Sequence, residues 1–256
     1  MTGRTLLLTI LLVGRVLAQE ATTPPEGGTL RREALAAEAR HDTGRALELY
    51  LALERANPRD AFVLQKIARQ YSDREMDAPT VAEKKSTIER ALDYSRRAVA
   101  LEPGNAVNVL SLAICYGKLG LYSSVRTKVD FSRFVKEEAE RALTLDPGYA
   151  WAYHVLGRWH YEVGTLGSAA RLWVRMFYGG LPAASTAEAV RLLERAVALE
   201  PDELAHRLEL GFALLADGQA RAAEAAFRAG IAMPSRAKHD ETAKARAREA
   251  LARLTG

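Results

Sequence analysis

The feature that most constrains the fold of this chain is a short helical motif that recurs five times and ends each time at a proline. In chain order the motif reads ERANP, RAVALEP, RALTLDP, RAVALEP and RAGIAMP, and the prolines are Pro58, Pro103, Pro147, Pro201 and Pro234. Proline cannot continue an α-helix and disfavours helix in the residue before it, so each motif marks a helix end. The prolines are 45, 44, 54 and 33 residues apart, which indicates one structural unit repeated with inserts of different length.

Small residues recur at matching positions within these units. The first helix of each unit carries Ala34, Ala68, Ala113, Gly157 and Gly211, and the second carries Ala46, Ala91, Val135, Ala189 and Ala223. A unit of about 34 residues, with two helices and a final proline, is the tetratricopeptide repeat. One helix pair cannot bury its apolar face alone, so the pairs must stack. We therefore predict an all-α tetratricopeptide-repeat solenoid of about five helix pairs, closed by an amphipathic capping helix over 235–254.

Units two, three and four contain extra residues between their two helices, over 72–86, 121–134 and 165–185. The first insert is polar and the second mixed, which predicts loops and extensions of the flanking helices. The third contains AARLWVRMFYGGLP, an apolar and aromatic run that ends at two glycines and a proline. We predict an inserted helix in the fourth repeat whose aromatic face packs on the array and is not inserted in a membrane, so that Trp173→Ala lowers the melting temperature by several degrees.

Residues 1–18, MTGRTLLLTILLVGRVLA, have the pattern of a secretory signal peptide. Arg4 gives a positive head, an apolar run follows, and residues 16–18 offer small side chains at the two positions that a signal peptidase reads. The run is shorter than the roughly 20 apolar residues of a spanning helix. We expect an exported protein, periplasmic or secreted, that begins at Gln19 after cleavage. An uncleaved membrane anchor is the alternative.

Composition narrows the classes of partner and of chemistry. Residues 19–28 are rich in proline and glycine and predict a flexible linker, which leaves 29–256 as a single repeat domain. Lysine and arginine number 36 against 32 aspartates and glutamates, and both signs are interspersed, which argues against a nucleic-acid partner. Cys115 is the chain's one cysteine and lies in an apolar helical pattern, so neither an internal disulfide nor a thiolate metal site is expected.

The sequence contains no pattern typical of a catalytic or metal site. His154 and His160 are six residues apart, which places them on different helix faces rather than in the i, i+4 arrangement of a metal clamp. No glycine-rich phosphate loop and no nucleophile elbow is present. We therefore predict a protein that is not an enzyme, with no catalytic residues, no metal and no cofactor.

In this repeat class the first helix of each unit lines a concave groove with its second, fifth, ninth, twelfth and thirteenth positions. The candidate binding residues at these positions are Phe62, Arg69, Leu110, Ile114, Lys118, Trp151, His154, Arg158, Tyr161, Leu208 and Phe212. A row of cations amid apolar walls suits a ligand with an anionic group and an apolar part. Arg158 is the strongest candidate, because a guanidinium holds a carboxylate or phosphate with two hydrogen bonds.

Two alternatives stay open at this point. Arg158 could pair with Glu162, four residues on, and take no part in binding. The apolar groove positions could also be covered by the insert or by the terminal helix, which would leave no open groove.

Several segments resemble a known family. LGRWHYEV, the aromatic insert, GGLPAAST and EAVRLLERA are similar to the tetratricopeptide domain of the regulator of microtubule dynamics proteins, and so are FVLQKIARQYSD and AEKKSTIERALDYSRRAVALEP upstream. The resemblance covers roughly 30–254. It implies a non-enzymatic protein associated with microtubules or membrane contact sites, with a lipid-binding groove as in one relative. The amino terminus instead resembles a bacterial-type export signal.

These observations lead to one expected function and one alternative. We expect a binding scaffold whose groove holds a protein or peptide partner in the cell envelope. The alternative is a lipid or hydrophobic-ligand binding or transfer protein that uses the same groove, with phospholipid as the ligand and at most peripheral contact with a membrane. An open groove of mixed charge favours the scaffold, and a deep apolar tunnel roofed by the insert favours the lipid binder.

Overall fold

The computed structural model describes residues 26–255, and this part of the chain forms twelve α-helices, ten of which stack as five pairs. The predicted signal peptide and most of the predicted linker lie outside the described residues. The pairs are α1 (Glu26–Ala39) with α2 (Thr43–Ala56), α3 (Ala61–Arg74) with α4 (Val81–Leu101), α5 (Ala106–Gly120) with α6 (Val125–Leu145), α7 (Ala150–Gly164) with α9 (Thr186–Leu199), and α10 (Leu204–Ala216) with α11 (Ala220–Ala232). The inserted helix is α8 (Ser168–Tyr178), and α12 (Asp240–Thr255) follows the last pair. The all-α solenoid predicted from the repeat is confirmed.

Helix ends in the structure follow the sequence signals closely. The first helix of each pair is helix A and the second is helix B, and each helix B ends two residues before its proline, as α2 does at Ala56 before Pro58. At the other end, polar side chains accept hydrogen bonds from first-turn N–H groups, for example Asp60 from the N–H of Val63. Helix α1 begins at Glu26, so residues 26–28 are helical although the sequence placed them in the linker.

The repeated small residues allow the two helices of a pair to approach closely. A Cβ atom added at Gly157 would lie 2.8 Å from Cγ of Leu193 on α9, and one added at Gly211 would lie 2.5 Å from the ring of Phe227 on α11. No side-chain atom can be accommodated at these separations without displacing its neighbour. The small positions predicted from the repeat therefore mark contacts between helices A and B.

The two shorter inserts lengthen the helices that follow them. After a 3₁₀ turn over Glu75–Asp77, α4 runs for 21 residues, and α6 is also 21 residues long. A capping box between Thr80 and Glu83 starts α4. The expectation of loops with helix extensions is correct for both inserts.

The third insert forms the predicted helix, but its aromatic face does not pack on the array. Trp173 is 45% exposed and Phe177 is 60% exposed, and Val174 alone among the α8 side chains is buried. The helix is held by backbone carbonyls instead: Arg133 of α6 donates to those of Tyr178 and Gly180. Arg171 of α8 likewise donates to the backbone carbonyls of Val163, Gly164 and Leu166. The predicted packing of this face is therefore wrong, because α8 is attached through arginines and backbone carbonyls at its two ends and not through its aromatic face.

The carboxyl-terminal helix closes the last pair, as predicted for a cap. Ala247 is fully buried, and the guanidinium of Arg246 lies 4.9 Å from the ring centroid of Phe212 on α10. The segment just before α12 also reaches the first repeats. Lys238 forms an ion pair with Asp77, and its Nζ lies 3.2 Å from the backbone carbonyl oxygen of Asp73. The two ends of the array are thus joined directly.

Candidate functional site

The predicted groove residues lie on α3, α5, α7 and α10, and most of them are accessible. Arg69 and Arg158 have side chains 55% and 47% exposed, and Phe62 is 38% exposed. The half-buried members of the set are Trp151, Tyr161, Ile114, Lys118 and Phe212. These residues provide a surface of aromatic, aliphatic and cationic side chains along the helices A.

Three of the predicted residues are buried and cannot contact a ligand. Leu110 is 1% exposed and Leu208 is 2% exposed, and both belong to the core between helices A and B. Leu208 packs so closely on α11 that a Cβ atom at Gly230 would lie 2.5 Å from its Cδ2. His154 is 8% exposed. The fifth position of helix A therefore points into the core in these units, which corrects its assignment to the groove.

The guanidinium of Arg158 lies between two carboxylates from neighbouring repeats. Its Nη2 is 3.6 Å from Oε1 of Glu162 on the same helix, and its Nε is 3.8 Å from Oε1 of Glu209 on α10. Both distances are longer than a hydrogen bond. The Glu209 side chain is 8% exposed and its Oε1 has no hydrogen-bond partner. The pairing with Glu162 that the sequence left open is present, together with a second acid that sequence spacing could not reveal.

Arg69 is surrounded by acids in the same way. Its Nη1 is 3.4 Å from Glu38 of α1, and its Nε is 3.7 Å from Asp73. Glu38 also accepts hydrogen bonds from Tyr50 at 2.7 Å and from Lys66 at 2.9 Å. Burial alone would raise the pKa of the Glu38 carboxyl, but these hydrogen bonds and the nearby cations outweigh it and lower that pKa. Glu38 is therefore ionised at neutral pH.

Lys118 completes the predicted row of cations. Its Nζ donates to the backbone carbonyl of Ser72 at 2.6 Å and lies 3.7 Å from a carboxylate oxygen of Glu75. Each of the three groove cations thus has an acid within 4.0 Å. The concave face carries paired charges of both signs, where the sequence alone predicted a row of positive charge.

A cluster of three rings lies at the start of the concave face between the fourth and fifth repeats. Nδ1 of His154 is 3.0 Å from Nδ1 of His206, and the Trp151 ring centroid lies 4.9 and 4.7 Å from those of the two histidines. His206 Nε2 is 3.3 Å from a carboxylate oxygen of Glu200. Both contacts are satisfied when both imidazoles are neutral, with one N–H directed at Glu200 and one at the second imidazole.

The environment of the two imidazoles keeps them neutral. Burial lowers the pKa of His154 to about 3, with the Arg158 charge adding to the effect. Burial also lowers the pKa of His206 to about 3, and His154 contributes in the same direction. The sequence analysis missed this pair because the residues are 52 positions apart. The repeat alignment does hold a partial signal, since the third positions of the helices A in units two to five are buried, namely Val63, Asn108, Ala152 and His206.

The described residues contain neither a clustered metal site nor a reactive thiol. Within 26–255 no group of three or more His, Cys, Asp or Glu side chains is placed to hold a metal ion. Cys115 is buried, and burial raises the pKa of its thiol to about 11, so the thiol is protonated at neutral pH. None of the helices in this part of the chain is both long and apolar enough to cross a bilayer.

The stacked pairs, proline stops and helix A face define a tetratricopeptide-repeat protein, a fold class typical of non-enzymatic scaffolds that bind other proteins. The fold is similar to that of TTC0263, a thermophilic tetratricopeptide protein of Thermus thermophilus, with a TM-score of 0.63 and 20% identity. That match covers 88% of this chain and 99% of the other.

The chain belongs to the regulator of microtubule dynamics family, because the pattern of regulator of microtubule dynamics protein 1-3 matches residues 31–255. Regulator of microtubule dynamics protein 1 of Bos taurus is 27% identical over 63% of this chain and 52% of its own length. Protein 3 of Xenopus laevis is 33% identical over 54% of this chain and 30% of its own length. The chain thus spans about half or less of these relatives. The resemblance stated from sequence is confirmed.

Proposed function

We propose that the protein is a scaffold whose concave face, formed by α3, α5, α7 and α10, binds an extended or helical segment of a protein partner in the cell envelope. The observation that carries the proposal is that this face combines accessible aromatic side chains with paired charges of both signs. Trp151 and Phe62 provide apolar surface, and the ion pairs of Arg69 and Arg158 lie on the same face. Such a surface matches the mixed composition of a peptide segment.

The ion pairs on this face can be exchanged for contacts with a partner at small cost. The more exposed pairs are Arg69 with Asp73 at 3.7 Å and Arg158 with Glu162 at 3.6 Å, and neither guanidinium makes a close bidentate pair. Partly exposed pairs of this kind contribute roughly 0–1 kcal/mol each. A partner carboxylate that reaches Arg158 can therefore replace Glu162 without a large loss.

The position of the inserted helix favours a protein partner over a lipid in the groove. Helix α8 contacts α6, a helix B, and does not cover the helix A face. Leu110 and Leu208, which the sequence offered as apolar groove walls, are in the core. The insert therefore supplies no roof for a lipid tunnel in the described residues. Helix α12 covers the end of the face instead, where Arg246 lies over Phe212, and part of the predicted apolar lining is in the core.

The proposal is tested by placing a photo-cross-linking residue at Arg158, at Arg69 and, as a control, at Glu194 on the exposed face of α9. We expect both groove positions to cross-link the same protein and the control to cross-link none of it. Cross-linking of that protein at Glu194 with equal yield would refute the assignment of the surface.

Affinity for the recovered partner then tests the guanidinium itself. Arg158→Glu should weaken binding at least tenfold, because a paired contact to a carboxylate becomes repulsive. Arg195→Glu makes the same charge change on α9 and should leave binding within about twofold. Unfolding free energy should change by less than about 1 kcal/mol for Arg195→Glu and should fall further for Arg158→Glu, because the buried Glu209 carboxylate loses the cation beside it. Native mass spectrometry of detergent-free protein tests the lipid alternative, which a co-purifying lipid mass would support.

A further inference from the structure

Exposed apolar side chains are concentrated where helix A turns into helix B. Among the described residues, nine of the thirteen exposed large hydrophobic side chains lie in the turns and inserts of units two to four. Helix α8 contributes Leu172, Trp173, Met176 and Phe177, which are 45 to 66% exposed. In a stack of parallel pairs all A-to-B turns lie along one edge. We call this surface the A–B edge.

Direct contacts join the inserts of the A–B edge into one surface. The hydroxyl of Tyr122, just after α5, donates to the carboxylate of Glu75 in the 3₁₀ turn of the second unit. Arg133 of α6 donates to the backbone carbonyls that follow α8, at 2.5 Å for Tyr178 and 2.7 Å for Gly180. The edge is therefore continuous from the second unit to the fourth.

The part of this edge nearest α8 carries an excess of positive charge. The insert over 121–134 contains Arg126, Lys128 and Arg133 but a single acid, Asp130, which is paired with Arg133 at 3.0 Å. The insert over 165–185 contains two arginines and no acid, while the insert over 72–86 is close to neutral, with three cations and four acids. The excess distinguishes the third and fourth units of the edge from the concave face, where every predicted cation has an acid beside it.

Apolar side chains flanked by cations are the pattern of a surface that lies in the headgroup region of a membrane. Helix α8 has this pattern, because Leu172, Trp173, Met176 and Phe177 are exposed together and Arg175 lies in its last turn. A second copy of the chain is a poorer occupant, since a symmetric contact would bring the same cations face to face. We propose that the A–B edge docks peripherally on an anionic lipid bilayer, with α8 lying in the interface.

The test uses the full chain and vesicles of phosphatidylcholine, with or without phosphatidylglycerol. Tryptophan emission should shift to shorter wavelength and be quenched by brominated lipid when phosphatidylglycerol is present. Trp173→Phe should abolish both effects, and Trp151→Phe on the concave face should preserve them. This readout is local to α8, so membrane contact made by residues 1–18 cannot produce it.

Binding itself is measured by vesicle sedimentation. Phe177→Glu should weaken binding to anionic vesicles about tenfold or more, because it places a charge where an apolar ring would enter the bilayer. Leu145→Glu, at the opposite edge where α6 ends, should keep the affinity for anionic vesicles within about twofold of that of the parent chain. Added salt should weaken binding, since attraction of cations to anionic lipid is screened.

Three results would overturn the proposal. The first is equal binding to neutral and anionic vesicles, and the second is vesicle binding without quenching of Trp173. The third is a parent chain that does not bind vesicles but forms a dimer in sedimentation velocity, with the dimer dissociated by Phe177→Glu. The dimer would assign the A–B edge to contact between copies. None of these results bears on the concave face, because cross-linking at Arg158 is measured separately.

Discussion

The buried imidazole pair predicts that the protein loses stability between pH 7 and pH 5. In the folded chain both His154 and His206 have a pKa of about 3, whereas a histidine in the unfolded chain has a pKa of about 6.5. Between these values the unfolded state binds more protons, so the free energy of unfolding falls as pH falls. The contribution is fully present above the unfolded pKa and is lost progressively on acidification.

The size of the stability loss at pH 5 depends mainly on the pKa of histidine in the unfolded chain. Because both folded pKa values lie well below 5, the folded imidazoles stay neutral while the unfolded ones become charged. Each histidine then lowers the free energy of unfolding by about 2 kcal/mol between pH 7 and pH 5, and the pair lowers it by about 4 kcal/mol. Most carboxylates are ionised at pH 5. Burial raises the pKa of Glu203, but this residue is common to the parent and the variant compared below, so the difference between them reports on the two histidines. Glu200 is 44% exposed at its side chain, and its contact with His206 is too screened by water to offset the loss.

Urea unfolding at pH 7, 6 and 5, followed by far-ultraviolet circular dichroism, measures the effect. The matched variant is His154→Asn with His206→Asn, since asparagine keeps a donor and an acceptor near each Nδ1 position but does not titrate. Burial also lowers the pKa of His160 and His239, and these contribute equally to both proteins. Between pH 7 and pH 5, we expect the free energy of unfolding of the double variant to fall by about 4 kcal/mol less than that of the parent.

If the double variant does not fold at pH 7, each single variant should recover about half of the difference. Equal pH dependence of parent and variants would refute the assignment of two neutral buried imidazoles.

Four further predictions concern packing and the ends of the chain. Gly211→Ala should lower the free energy of unfolding by about 1–3 kcal/mol, while Gly104→Ala, with open space around it, should have little effect in the same urea titration. Trp173→Ala should change that free energy by less than about 1 kcal/mol, because the ring is 45% exposed; a drop of several degrees in melting temperature would show that α8 packs on the array. Lys238→Ala should lower the free energy of unfolding by about 1 kcal/mol in the same urea titration, because it removes the link between the ends of the array. If residues 1–18 are a cleaved export signal as proposed, amino-terminal sequencing of the protein from the envelope fraction should begin at Gln19, and a start at Met1 on a membrane-embedded chain would contradict cleavage.

The repeat could be predicted from sequence because its signals are local. A proline ends each helix B through its own ring, and a small residue such as Gly157 permits a close approach whatever lies elsewhere in the chain. The family resemblance rested on the same segments. The ends of the helices could be predicted to within a few residues for the same reason.

The surface assignments were less accurate because they depend on what lies opposite each residue. Amphipathic spacing showed that α8 has an apolar face but not that its attachment uses Arg133 and backbone carbonyls. Repeat position placed Leu110 at the groove, whereas the structure buries it in the core. Glu209 reaches Arg158 from the next unit, a contact between repeats that no spacing within one helix encodes.

The three groove cations share a property that links binding to the shape of the solenoid. Each pairs with an acid from a neighbouring unit: Arg69 with Glu38, Lys118 with Glu75, and Arg158 with Glu209. These pairs span the contacts between repeats, where a small rotation changes the curvature of the whole stack. A peptide that takes Arg158 from Glu209 would leave a buried carboxylate unpaired, and the fourth and fifth units would have to separate enough to hydrate it. If the groove binds a peptide as proposed, that binding would be coupled to the curvature of the array.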